Sequence, residues 1–103
     1  MLDKTDAKKI AQIYSNRVIN EYSPKQIILF GSYANGTPHE YSDIDIAIIF
    51  DETGDEFLDT WTHLVKLCRG ISFDIEPHMI DENRTKSGFL DYIRETGEII
   101  YNA

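Results

Sequence analysis

Residues 43 to 50, Asp-Ile-Asp-Ile-Ala-Ile-Ile-Phe, constrain this chain more than any other segment. Side chains alternate across a strand, so Ile44, Ile46, Ile48 and Phe50 share one face while Asp43, Asp45, Ala47 and Ile49 share the other. The strand therefore has one wholly apolar side and one side that opens with two carboxylates, whose backbone positions lie roughly 6 to 7 Å apart. Two acids held this way repel each other. Without a cation one of them has a raised pKa, whereas a divalent ion makes both charges favourable. Oxygen-only donors suit Mg²⁺ or Mn²⁺ rather than zinc, whose sites usually include His or Cys.

Around this strand the periodicity changes. Ala7, Ile10, Ala11, Tyr14, Val18 and Tyr22 recur at helical spacing, with Asp3 and Asp6 at the end where the helix dipole favours negative charge. The spacing predicts a helix over residues 4 to 22, stopped by Ser23-Pro24. Ile27 to Phe30 is a short apolar run ended by Gly31, which predicts a central strand buried on both faces. Phe57, Leu58, Trp61, Leu64, Val65 and Cys68 form the stripe of a second helix over 54 to 69, with Gly70 as its cap; Trp61 and Cys68 read as core.

A third strand is predicted at about 71 to 80. Phe73 and Ile75 point one way, and Ser72, Asp74, Glu76 and His78 point the other. Ser87 is positioned to cap a last helix carrying Phe89, Leu90 and Ile93, which stops at Gly97 before an apolar tail, Ile99-Ile100-Tyr101. The order helix, strand, loop, strand, helix, strand, helix predicts an α/β (α+β) fold. It is a small mixed sheet with helices packed on one face and the other face open for chemistry. At 103 residues the chain is expected to form one domain, 1–103, with no internal repeat or linker.

Composition narrows the function. A formal charge of −8 argues against direct binding of nucleic acid, because that mode needs clustered Lys and Arg to displace counterions. The 42% hydrophobic content is that of a folded globular protein. One cysteine cannot form an internal disulfide, and neither a signal-peptide hydrophobic region nor a run of about 18 apolar residues occurs. A cytoplasmic protein with no membrane association is expected.

A third carboxylate on a strand next to Asp43 and Asp45 would complete a two-ion site, and Asp74 and Glu76 both have the required parity. Gly31-Ser32 follows a buried strand and precedes Tyr33-Ala34-Asn35-Gly36, so it reads as a strand-to-helix turn suited to an anion. Glycine lets a phosphate approach the backbone, and the Ser32 hydroxyl can donate a hydrogen bond.

The whole stretch Gly31-Ser32-Tyr33-Ala34-Asn35-Gly36-Thr37-Pro38-His39-Glu40-Tyr41-Ser42-Asp43-Ile44-Asp45 resembles the signature of the nucleotidyltransferases of the DNA polymerase beta superfamily. It is most similar to the minimal nucleotidyltransferases found beside helical HEPN partners. The resemblance implies a palm-like fold in which Gly31 and Ser32 contact a triphosphate, ATP or another NTP, and Asp43 and Asp45 hold two Mg²⁺ ions. It places the third metal carboxylate on Asp74, the first choice, or on Glu76.

It further implies Mg-dependent transfer of a nucleoside monophosphate, AMP from ATP, to a hydroxyl of a protein. The protein would be a HEPN toxin for which this chain is the antitoxin. Many relatives carry a basic residue where this chain has Asn35, which removes one candidate phosphate or partner contact.

Rival readings follow from the same residues. A non-catalytic antitoxin would neutralise its partner by occluding it, and a regulatory sensor would bind nucleotide without a covalent product. His39, His63 and His78 lack metal-ligand spacing to one another or to Cys68 and are assigned no role. A Ser32-His39-Asp43 triad has no oxyanion hole beside it, and no G-x-x-x-x-G-K-[ST] run is present. Ile19, Ile99, Ile100 and Tyr101 are left over from the expected core and point to a homo- or hetero-oligomeric interface.

Overall fold

The computed structural model describes residues 3–38, 42–85 and 88–103. Helix α1 (Lys4–Glu21) leads to strand β1 (Gln26–Phe30), a single turn α2 (Ser32–Asn35) and strand β2 (Ile44–Phe50). A 3₁₀ turn (Gly54–Glu56) precedes helix α3 (Phe57–Lys66), which is followed by strand β3 (Ile75–Asp81), helix α4 (Phe89–Thr96) and strand β4 (Glu98–Asn102). The four strands form one mixed sheet in the order β3-β2-β1-β4. β1 runs antiparallel to β2 and β4, while β2 and β3, joined through α3, run parallel.

Helix α1 begins where the Asp3 carboxylate accepts the Asp6 N–H at 2.8 Å, satisfying one of the otherwise free donors of the first turn. It ends at Glu21, ahead of Ser23-Pro24. Ala7, Ala11, Tyr14 and Val18 are fully buried on its inner face. They pack with Ile27 and Leu29 of β1, with Ile44, Ile46, Ile48 and Phe50 of β2, and with Leu64 of α3. Full burial of each Ile or Leu is worth about 1.5–3 kcal/mol, so this layer dominates the stability of the chain. The Tyr14 hydroxyl donates to the Leu64 carbonyl at 2.7 Å. Arg17 donates to the Leu67 and Arg69 carbonyls, where α3 ends and a cation is favoured.

The alternation predicted for β2 is present. Ala47 and Ile49 point away from the α1 layer and meet Ile28, Phe30, Ile80, Leu90 and Ile93 in a second cluster. Leu90 and Ile93 belong to α4, so helices cover both faces of the sheet, and the face expected to be open is open only beyond α4. An amphipathic stripe says that a helix packs, but which side of the sheet receives it is set by the connections, which the stripe does not encode.

Three further expectations change. The tail at residues 99 to 101 is a strand: β4 pairs with β1, and Ile100, Tyr101 and Ile19 pack against the main core. Of the residues read as interface, Ile99 alone is in the exposed class. Strand β3 starts at Ile75, because Ser72 Oγ accepts the Asp74 N–H at 3.0 Å in a local turn that competes with the ladder, and Phe73 is fully exposed. Cys68 is partly buried against the main core, as expected, whereas Trp61 lines a surface groove. Ser87 and His39 lie outside the described residues, and so does the expected Ser87 cap; α4 has Gly88 before its first turn. Among the described residues no helix is long and apolar enough to cross a membrane.

Candidate active site

β1 ends where β2 begins, because the two are antiparallel, and this brings the Gly31-Ser32 turn beside the acidic start of β2. Phe30 is paired with Asp45 in the ladder. Gly31 has φ +78° and ψ −154°, and a β-carbon added there would overlap the Asp45 carboxylate. The glycine is therefore required twice, by its backbone conformation and by the closeness of the acid.

The parallel register sets Asp45 opposite Glu76 and Ala47 opposite His78. His78 Nε2 lies 3.2 Å from Asp45 Oδ1. Among the described residues, Asp45, Glu76 and His78 form a group whose donor atoms all lie within 4.8 Å of one another, the span a single cation can bridge. Asp43, exposed at the strand entrance, shares a hydrogen bond with the Glu76 carboxyl. That bond first, and burial second, hold Glu76 above the usual carboxylate range, against the opposing pull of His78. A divalent ion fits this donor set: two carboxyl groups and an imidazole converge, with the Asp43 carboxyl next to Glu76.

Asp74 is placed elsewhere. It precedes β3, is exposed, and uses its backbone carbonyl to accept the Ile44 N–H at 2.7 Å. Its charge acts on Tyr33, whose hydroxyl is pushed up by burial first and by Asp74 second. Of the sequence-derived candidates, Asp45 and Glu76 come together beside Gly31, with Ser32 in the next position; Asp43 stands next to Glu76, and neither it nor Asp74 is in the group.

His78 is the residue that sequence reasoning passed over. Its spacing to other His and Cys residues is uninformative, yet it shares strand parity with Glu76, and the partner that matters, Asp45, is thirty-three positions away. Its ring meets Phe30 edge-on, with centroids 4.9 Å apart, and Phe30 in turn meets Phe89 of α4. These apolar contacts form the floor of the site. From Glu76 and His78 a groove of about 900 Å³ runs along β3 past Pro77 and Met79 toward Trp61 and Phe57 of α3.

A mixed α/β sheet that gathers acidic groups from two adjacent strands beside a glycine-serine turn defines a nucleotidyltransferase. Residues 8–103 match the family model described as Polymerase beta, Nucleotidyltransferase, and the chain belongs to that family. Among its relatives is MJ1379 of Methanocaldococcus jannaschii, provisionally named a protein adenylyltransferase. It is 36% identical over 75 residues, covering 69% of this chain and 74% of the relative. The protein adenylyltransferase MntA of Shewanella oneidensis is 37% identical over 70 residues, 63% of this chain and 50% of its own length.

Several solved structures share the fold. A protein from Sulfolobus solfataricus, provisionally named a nucleotidyltransferase, superposes with a TM-score of 0.68 at 20% identity, over 96% of this chain and 83% of its own. A complex of a tri-AMPylated HEPN toxin with its MNT antitoxin, from Shewanella oneidensis, superposes with a TM-score of 0.53 at 18% identity, over 99% of this chain and 74% of the matched chain.

Proposed function

We propose that this chain transfers AMP from ATP, with Mg²⁺ bound, to a hydroxyl of a HEPN-type protein partner, and that it acts as the antitoxin of that pair. The observation that carries the reading is the convergence of Asp45, Glu76 and His78 beside Gly31, with Asp43 next to Glu76. The protein adenylyltransferase names of MJ1379 and MntA support adenylate as the group moved and a protein as its acceptor. The AMPylated HEPN toxin held by an MNT antitoxin is the model for the partner.

In this reading Asp43, Asp45 and Glu76 hold the metal, and Glu76 takes the third-carboxylate role in place of Asp74 because it faces Asp45 across the ladder. Gly31 allows polyphosphate oxygens to approach the backbone, and the Ser32 hydroxyl donates to one of them. Bound divalent ions, two in the family's arrangement, would neutralise the departing pyrophosphate and ease ionisation of the attacking hydroxyl. The acceptor oxygen forms a bond to the α-phosphorus, the bond from that phosphorus to the bridging oxygen breaks, pyrophosphate leaves with the electron pair, and the hydroxyl proton passes to solvent.

Incubation of the protein with MgCl₂, ATP and a HEPN-type partner is expected to add whole adenylate units to the partner, read by intact mass. Asp43→Asn and Asp45→Asn should slow the addition by about 100-fold or more, since each removes a charge that positions the ion. Undiminished neutralisation of the partner by both variants, with no mass added, would instead identify an antitoxin that acts by occlusion.

A further inference from the structure

Nothing in the expected chemistry of paired acids calls for an imidazole, yet His78 Nε2 stands with Asp45 and Glu76 in one donor group. We propose that His78 is a direct ligand of the metal and biases the site toward a first-row transition ion, Mn²⁺, over Mg²⁺. The inference rests on the reading of this cluster as the metal site.

Three observations carry it. The first is distance. Two neighbouring ligands of an octahedral ion with bonds of about 2.1 Å are separated by about 3 Å, and His78 Nε2 and Asp45 Oδ1 are 3.2 Å apart. The second is orientation. The edge-on contact with Phe30 at 4.9 Å and 65° holds the ring so that this nitrogen, rather than a carbon edge, faces the carboxylates. The third is register. Position 78 lies on the same face of β3 as Glu76 and two pairs further along the ladder than Asp45, so the imidazole enters beside the acids rather than behind them.

A nitrogen donor changes what the site prefers. Mg²⁺ is a hard ion that keeps oxygen ligands and water, whereas imidazole nitrogen adds affinity along the first-row transition series. The competing arrangement has His78 donating a hydrogen bond to Asp45 and only orienting it. The two arrangements differ in whether nitrogen touches the metal.

Pulsed EPR on Mn²⁺ bound to the nucleotide-free wild-type protein separates them and requires no substitution. Modulation from a directly coordinated ¹⁴N nucleus is expected, and bound Mn²⁺ without it would overturn the proposal. As a second measurement, His78→Phe keeps a ring against Phe30 and removes the nitrogen. Mn²⁺ affinity, titrated by loss of the free-ion EPR signal, should fall about tenfold or more. Mg²⁺ affinity, read by competition, should change by less than about threefold. Equal losses for both ions, or none for Mn²⁺, would also overturn it. The transferase reading is scored separately: nitrogen-coordinated Mn²⁺ with no adenylate on any HEPN-type partner would leave the ligand assignment standing and remove the activity.

Discussion

Gly31 occupies a backbone conformation that L side chains rarely adopt, and the space where its β-carbon would sit is taken by the Asp45 carboxylate. Gly31→Ala is therefore expected to cost about 1–2 kcal/mol in backbone strain alone. Pushing Asp45 away from Glu76 and His78 should also weaken Mn²⁺ binding. Chemical denaturation and metal titration of the same preparation check both effects, and a variant with wild-type metal affinity would show that the carboxylate tolerates displacement. At Tyr14 the consequence is structural only. Its buried hydroxyl, pushed above the ordinary range by burial first and Cys68 second, donates to Leu64, so Tyr14→Phe leaves that carbonyl with the weak Cys68 thiol donor and should cost about 1 kcal/mol with no change in metal affinity. The placement of Gly31 beside Asp45 is readable from their spacing because a glycine after an apolar run and a D-x-D at a strand start each imply a definite geometry. His78 is not readable in that way, since the group it meets is fixed by the pairing of β2 with β3, and no local pattern states a register between strands joined by a helix.

At the scale of elements, the ends of β1, β3 and α4 are tied by one charged network. Lys25 Nζ donates to Glu82 at 2.8 Å, Arg94 reaches the same carboxylate at 2.9 Å, and Arg94 Nε donates to Gln26. The hydrogen bond from Lys25, followed by that from Arg94, holds the Glu82 carboxyl below its ordinary range. A carboxyl whose folded pKa is depressed contributes stability above its unfolded pKa, about 4.3, and loses that contribution as the pH falls through the folded value. Glu82→Gln should lower the stability measured at pH 7 and flatten its decline between about pH 5 and pH 3. An unchanged acid limb would mean that other carboxylates control it. The Asp81 carboxylate acts in the same direction: burial works to raise it, but hydrogen bonds from Thr53, Asn83 and Arg84 outweigh burial and leave it lowered. These loop-to-loop ties are invisible in local patterns, as is β4. Residues 99 to 101 carry three consecutive apolar residues with no alternation, so they read as leftover surface until β1 supplies a partner edge. Helix α1 and strand β2 are legible for the opposite reason: their periodicity is long and strict, and burial against one layer enforces it.

Taken whole, the molecule carries eighteen acidic side chains against ten basic ones, and the excess is not spread evenly. Lys8 offsets Glu98 and Lys25 offsets Glu82 at positions remote from the site, whereas among the described residues Asp45 and Glu76 meet in one group with His78. Folding thus concentrates like charge at one end of the sheet, a cost that a bound divalent ion can remove only in the folded state. Mn²⁺ at ten times its dissociation constant should stabilise the protein by about 1.4 kcal/mol, a rise of roughly 6 to 11 °C in Tm for a domain this small. General screening of a −8 chain would also raise Tm, but NaCl at matched ionic strength reproduces screening and leaves the site unfilled. Thermal scans with each salt separate the two. Asp45→Asn should keep the response to NaCl and lose the response to Mn²⁺; if it keeps both, the ion acts on the overall charge and the acids at the start of β2 do not bind it.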